Sequence, residues 1–189
     1  SLVETPEMTA LVLLQFDDMV HAMEATNAIL EVNPSAIELM DKMLVDLTRE
    51  QPGYANMISF IKGDPEGILA VEFYGTSERE LRQKCDNLIG HLQHRGVHPM
   101  SDPQVLLDPK QQANVWNVRK ASLGLLMSIR GDAKPIPFIE DAAVPVEYLA
   151  DYITTIVDYC YEVGLERVAM YAHASAGCIH VRPLVNLKN

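Results

Sequence analysis

Short apolar, β-branched runs alternate with amphipathic helical patterns between residues 10 and 101, and that alternation leaves few folds open. Leu11 to Phe16 is an apolar run, followed by a helical pattern through Val20, Met23, Ala28, Ile29 and Leu30. Asp17 or Asp18 can cap this helix, and Asn33-Pro34 ends it, because proline disfavours a helical predecessor. Ala36 to Met40 reads as a strand and Asp41 to Glu50 as a short helix. Gln51 to Gly67, punctuated by glycine and proline, is a long connection with one short segment around Ile58 to Ile61. Ile68 to Tyr74 is the strongest strand signal, closed by Gly75. Thr76 or Ser77 then caps a helix whose buried stripe is Leu81, Cys85, Leu88, Ile89 and Leu92, and Val97 to Ser101 returns as an edge strand. The order β-α-β, connection, β-α-β is that of an α+β, ferredoxin-like antiparallel sheet with helices on one face. It spans residues 1–104.

Asp102 to Asp108 reads as a linker, Gln111 to Ile129 as a helix and Ile136 to Val144 as a strand. Pro145 opens a further helix that Gly164 closes. Arg167 to Ala172 and Cys178 to Leu184 then form a hairpin. Residues 105–189 thus read as a second ferredoxin-like subdomain, duplicated from the first and truncated at its C-terminus.

The hairpin carries two histidines, His173 and His180, flanking a run of small residues with Gly177 at the reversal. A turn centred on Ala176 and Gly177 would set His173 directly across from His180, within reach of one metal ion or one substrate. Two ligands do not define a metal site, and an ordinary hairpin with two half-buried histidines satisfies the same spacing.

The net charge of −11 excludes an extended nucleic-acid surface, which needs clustered Lys and Arg. No apolar run is long enough to span a membrane, and no secretory signal opens the chain. The three cysteines, Cys85, Cys160 and Cys178, are scattered, which fits a reducing cytoplasm rather than a disulfide framework. The 48% hydrophobic content is enough for a sizeable core.

Three blocks, in order, resemble one family. Trp116-Asn-Val-Arg119-Lys, Lys134-Pro-Ile-Pro-Phe-Ile-Glu140-Asp141-Ala-Ala-Val-Pro145, and His173-Ala-Ser-Ala-Gly-Cys-Ile-His180-Val-Arg-Pro are similar to the C-terminal cap of FAD-linked oxidases. That family includes glycolate oxidase subunits, D-lactate dehydrogenases and D-2-hydroxyglutarate dehydrogenases. The variety fused to an iron-sulfur region is the best match. The resemblance implies a substrate-cap fragment of an FAD-dependent enzyme that oxidises a 2-hydroxy acid by hydride transfer to flavin, inactive without the FAD-binding domain.

By that resemblance Arg119 holds the substrate carboxylate and Lys134 assists it, while His173 and His180 act on the substrate or bind a divalent metal such as zinc. Glu140 and Asp141 either orient a histidine or cap the helix that follows. The loop positions implied to meet the cofactor are Ser175, Gly177 and Cys178. Ser175, Ala176 and Cys178 depart from the family's His-x-Gly-Asp-Gly-Asn-x-His pattern, and neither a third metal ligand nor a glycine-rich phosphate loop is found. The alternative from another class is a non-enzymatic ferredoxin-like domain that binds a small anion or self-associates through exposed sheet.

Overall fold

A computed structural model describes residues 5–188. Eight strands form one antiparallel sheet. They are β1 (Met8–Phe16), β2 (Ala36–Asp41), β3 (Gly67–Gly75), β4 (Gln104–Leu106), β5 (Lys134–Pro135), β6 (Ile139–Ala143), β7 (Val168–His173) and β8 (Cys178–Val185). The order across the sheet is β4-β1-β3-β2-β7-β8-β5, with β6 also paired to β8. Five α-helices lie among the described residues: α1 (Met19–Leu30), α2 (Lys42–Glu50), α3 (Glu78–His94), α4 (Pro109–Met127) and α5 (Leu149–Glu162).

The central strands are apolar at nearly every position because both of their faces are covered. Ala10, Val12, Leu14 and Phe16 of β1, with Leu69, Val71 and Phe73 of β3, pack under α1, α3 and α5. The alternate residues Leu11, Leu13, Ile68 and Ala70 pack under α2 and α4 on the opposite face. Helices on one face only is therefore corrected. Asp41 turns β2 directly into α2, and the mixed face that results carries enough apolar surface to bury α4 as well.

Local signals explain the element starts. Asp18, Asp41, Ser77 and Asp108 each accept a bond from a first-turn amide of the following helix. Two stretches differ from expectation. Residues 97–101 form a loop rather than an edge strand, with one backbone bond from Met100 to Gln15, while the strand beside β1 is β4, inside the stretch expected as a linker. A division at 104/105 falls within β4. Residues 136–144 are also not one strand: Pro135 and Pro137 interrupt the ladder, and β5 pairs with the far end of β8 while β6 pairs with its beginning.

The first four strands and the last block meet at a seam between β2 and β7, where only Glu38, Leu39 and Met40 pair with His173, Ala172 and Tyr171. Beyond these pairs, the Asp41 carboxylate takes over. It accepts from the Met170 amide at 2.7 Å and from the Leu44 amide at 2.9 Å.

Candidate active site

The hairpin register sets the site. The observed pairs are His173 with Cys178, Ala172 with Ile179 and Tyr171 with His180. The expected His173–His180 pairing is displaced by two residues, because a turn of 3-10 helix at Ala174–Ala176 plus the left-handed Gly177 makes a longer reversal. An even displacement preserves the face on which each side chain stands. His173 and His180 are therefore diagonal neighbours on the α4 face, with ring centroids 5.6 Å apart and nearly perpendicular.

Around them the sheet and α4 assemble a charged cluster. Glu38, opposite His173 across the seam, holds His173 Nδ1 at 2.7 Å with one oxygen, and its other oxygen lies 2.9 Å from Arg119 Nη2. Glu140 does the same on the other side. One oxygen lies 2.7 Å from His180 Nδ1 and the other 2.6 Å from Arg182 Nη2. Tyr171 lies between the two groups, stacked on His180 at 4.5 Å, with the Arg119 and Arg182 guanidinium carbons 4.9 and 5.5 Å from its ring centroid. Burial raises the Tyr171 phenol above its ordinary range, against the pull of the Arg182 charge.

Glu140 and Asp141 are neighbours in sequence, so in a regular strand they would point to opposite faces. The β6–β8 pairing slips between Ile139 and Ala142, and Asp141 adopts φ 51°. This bulge lets both carboxylates approach His180, with Asp141 at 3.6 Å. Neither acid caps the next helix, whose start has no side-chain cap bond. The arginines and His180 form a buried floor, whereas the His173 side chain is 50% exposed and Asp141 stands open at the rim.

Asp141, Cys178 and His180 place ligand atoms within 4.8 Å of one another, an oxygen, sulfur and nitrogen set whose chemistry suits zinc. His173 is not in this group. Burial and then the Asp141 charge raise the Cys178 thiol, so without a metal it is no activated nucleophile.

The other expected positions are used differently. Arg119 stands in the cluster with its Nε and Nη2 both turned to Glu38, leaving Nη1 a long 3.4 Å contact to Ser122. Lys134 pairs with Val185 near the far end of β8, and its ammonium donates to the Ile129 carbonyl, so it is not brought to the histidines. Ser175 Oγ accepts from the Ile37 amide. Gly177 presses its backbone on Val144, whose carbonyl would lie 1.9 Å from any added Cβ.

Glu38, Tyr171 and Arg182 were not singled out from the sequence. A period of two along each strand reaches Tyr171 from His173 and Arg182 from His180, and Glu38 is the one acid inside the run Ala36 to Met40. A cleft of about 870 Å3 opens at the other end of the β2–β7 seam beside Asp41, and none of the histidines lines it.

The layered sheet carries a histidine-carboxylate-arginine cluster on one face, and solved structures share its shape. p-Cresol methylhydroxylase with substrate bound matches 99% of this chain over 41% of its own, with a TM-score of 0.64 at 12% identity. Alkyldihydroxyacetonephosphate synthase matches 98% over 38%, with a TM-score of 0.62 at 10% identity. Such identities show the fold alone. The family model described as FAD linked oxidases, C-terminal domain, matches residues 5–189, and the chain belongs to that family. It is 31% identical over 188 residues to a D-2-hydroxyglutarate dehydrogenase of Pseudomonas putida and 29% identical over 189 residues to one of Escherichia coli. These matches cover 97% and 96% of this chain, which spans only 19% and 18% of the relatives' length.

Proposed function

We propose that this chain is the substrate-binding cap of an FAD-dependent dehydrogenase acting on a 2-hydroxy acid of the D-lactate, glycolate or D-2-hydroxyglutarate type. The observation that carries the reading is the convergence of His173, His180 and Arg119 on one face of the β2–β7–β8 sheet. The names of the dehydrogenase relatives support the substrate class.

The residues described do not fit the phosphates of FAD. Among these residues the left-handed glycines stand singly, and the amides of α1, α2 and α4 are already capped by aspartates whose charge opposes a phosphate. FAD would be held by a separate domain of the same enzyme and would supply the hydride acceptor, with Ser175, Gly177 and Cys178 on the loop that would face it. The cap does the rest. Arg119 receives the substrate carboxylate on its Nη1 edge, and Lys134, held by the Ile129 carbonyl at the far end of β8, takes no part. A histidine whose Nδ1 is tied to a carboxylate takes the hydroxyl proton on Nε2.

A divalent metal such as zinc would be held by His180 with Asp141 and Cys178, a set that leaves out His173, and would lower the pKa of the substrate hydroxyl while His173 Nε2 stays free to take its proton. We place the iron-sulfur region outside residues 5–188, since Cys85 and Cys160 are buried on separate helices and Cys178 lies on β8. No helix among the described residues is long and apolar enough to cross a membrane, and with three free cysteines we assign the chain to the cytoplasm.

The ferredoxin-like duplication draws support from strand order. In β1-α1-β2-β3, β3 lies between β1 and β2, and in β6-α5-β7-β8, β8 lies between β6 and β7. We place the two subdomains on either side of the seam, and self-association at the outer edge of β6, which is unpaired among the described residues.

The test is flavin bleaching by the three hydroxy acids. The chain alone should be colourless and inactive, whereas the flavin-loaded enzyme containing this cap should be reduced by at least one of them. In that enzyme His173→Ala should lower kcat by about 100-fold or more. Its melting should change little, since His173 is exposed. Arg119→Ala should chiefly raise KM and, by leaving one Glu38 oxygen without its cation while the other keeps His173, cost about 1–3 kcal/mol of stability. A stoichiometric flavin band in the isolated chain, or unchanged kinetics in both variants, refutes the assignment.

A further inference from the structure

We infer that Arg182 is a positioning residue of this site: by clamping one oxygen of Glu140, it keeps the other on His180 Nδ1, so that Nε2 remains the ring's acceptor. The inference rests on the reading of this cluster as the proton-accepting site, and it concerns a residue that touches no substrate. Arg182 is only 7% exposed, and its Nη2 is already turned to Glu140. Its Nη2 lies 2.6 Å from Glu140 Oε1, and Glu140 Oε2 lies 2.7 Å from His180 Nδ1.

A carboxylate has only acceptors to offer, so the imidazole nitrogen facing it must carry the hydrogen. A neutral His180 is thereby held in one tautomer, with its lone pair on Nε2. Without Arg182, the Glu140 side chain would be free to leave, because it sits on a bulged edge strand beside an exposed Asp141. Among the described residues Asp141 is the only other carboxylate within 4 Å of this ring nitrogen, and at 3.6 Å it is beyond a good hydrogen bond.

Two further observations favour positioning over packing. Arg182 Nε and Glu140 Oε1 are both buried without a hydrogen-bond partner among the described residues, so Arg182 holds Glu140 as an ion pair, at a cost that a side chain kept only to fill space would not carry. The same device also occurs on the other side of Tyr171, where Glu38 joins Arg119 to His173 Nδ1. These two relays use different strands and a helix, so local sequence similarity does not explain the repetition.

The experiment is nitrogen NMR of the histidine rings in the chain itself, at fixed neutral pH, for the wild type, Arg182→Met, Arg182→Lys and Glu140→Gln. The wild type should show His180 with a pyrrole-type Nδ1 and a pyridine-type Nε2. In R182M and E140Q the Nε2–H form should appear alongside it while the His173 signals stay in place, and R182K should restore the single form. In the flavin-loaded enzyme R182M should lower kcat by about 10–100-fold with KM nearly unchanged. A wild-type His180 protonated on Nε2 overturns the inference, even if no variant folds. So does a folded R182M whose His180 is indistinguishable from wild type. An enzyme without turnover on any hydroxy acid indicts the proposed reaction instead, and leaves the ring assignment to stand or fall on its own spectrum.

Discussion

Asp41 shows how much a single residue joins here. It ends β2, caps α2 through the Leu44 amide and binds the Met170 amide of β7 across the seam. Burial raises its carboxyl from the ordinary 3.8 to about 6, even though the two amide bonds pull the other way. A raised acid pKa means that the folded protein holds a proton the unfolded chain has released. Its contribution to stability is therefore full below about pH 4 and is lost as pH rises through about 6, by a total on the order of 3 kcal/mol. Asp41→Asn removes the titration while keeping a capping oxygen. Denaturant melts of the two proteins from pH 4 to 7 should diverge by that amount in favour of the variant as pH rises. A constant difference across this range would show that Asp41 titrates normally.

At the scale of elements, the hairpin loop and β6 depend on one glycine. Gly177 has φ 63°, and an added Cβ would strike the Val144 carbonyl, while the Val144 amide donates to the Gly177 carbonyl at 2.8 Å. Gly177→Ala should cost about 1–2 kcal/mol for the left-handed backbone alone, and more for the clash. Because β6 carries Glu140, the variant should also release His180. Gly90→Ala on α3, where the added Cβ meets nothing, should be neutral or stabilising by about 0.5–1 kcal/mol in the same urea titration. This hairpin also shows what could be read from sequence. Its strands, its glycine and the shared face of the histidines were legible in a period of two. The register was not, because a turn of 3-10 helix among Ala, Ser and Ala has no distinctive composition. The bulge at Asp141 was equally silent, and with it the approach of Glu140 and Asp141 to one imidazole. Nor could any local pattern pair Glu38 with His173, since that contact exists only once β2 and β7 meet.

Across the whole molecule, the seam has three residue pairs, yet the core does not stop there. Ala10 and Leu69 from one side and Leu149, Ile153 and Met170 from the other lie in one continuous cluster. The chain should therefore unfold in a single calorimetric transition with equal van't Hoff and calorimetric enthalpies. Two resolved transitions would mean that the blocks melt separately. The seam also sets when the site can exist. Glu38 and His173 are 135 positions apart, so their bond closes only after all the residues between them are available. Earlier in synthesis the histidines are not yet made, and Glu38 and Arg119 can meet only each other. On the proposed reading, a partly made chain thus offers no half-built pocket to seize a metal ion or an acid, and the cluster stays unassembled until the β7–β8 hairpin docks.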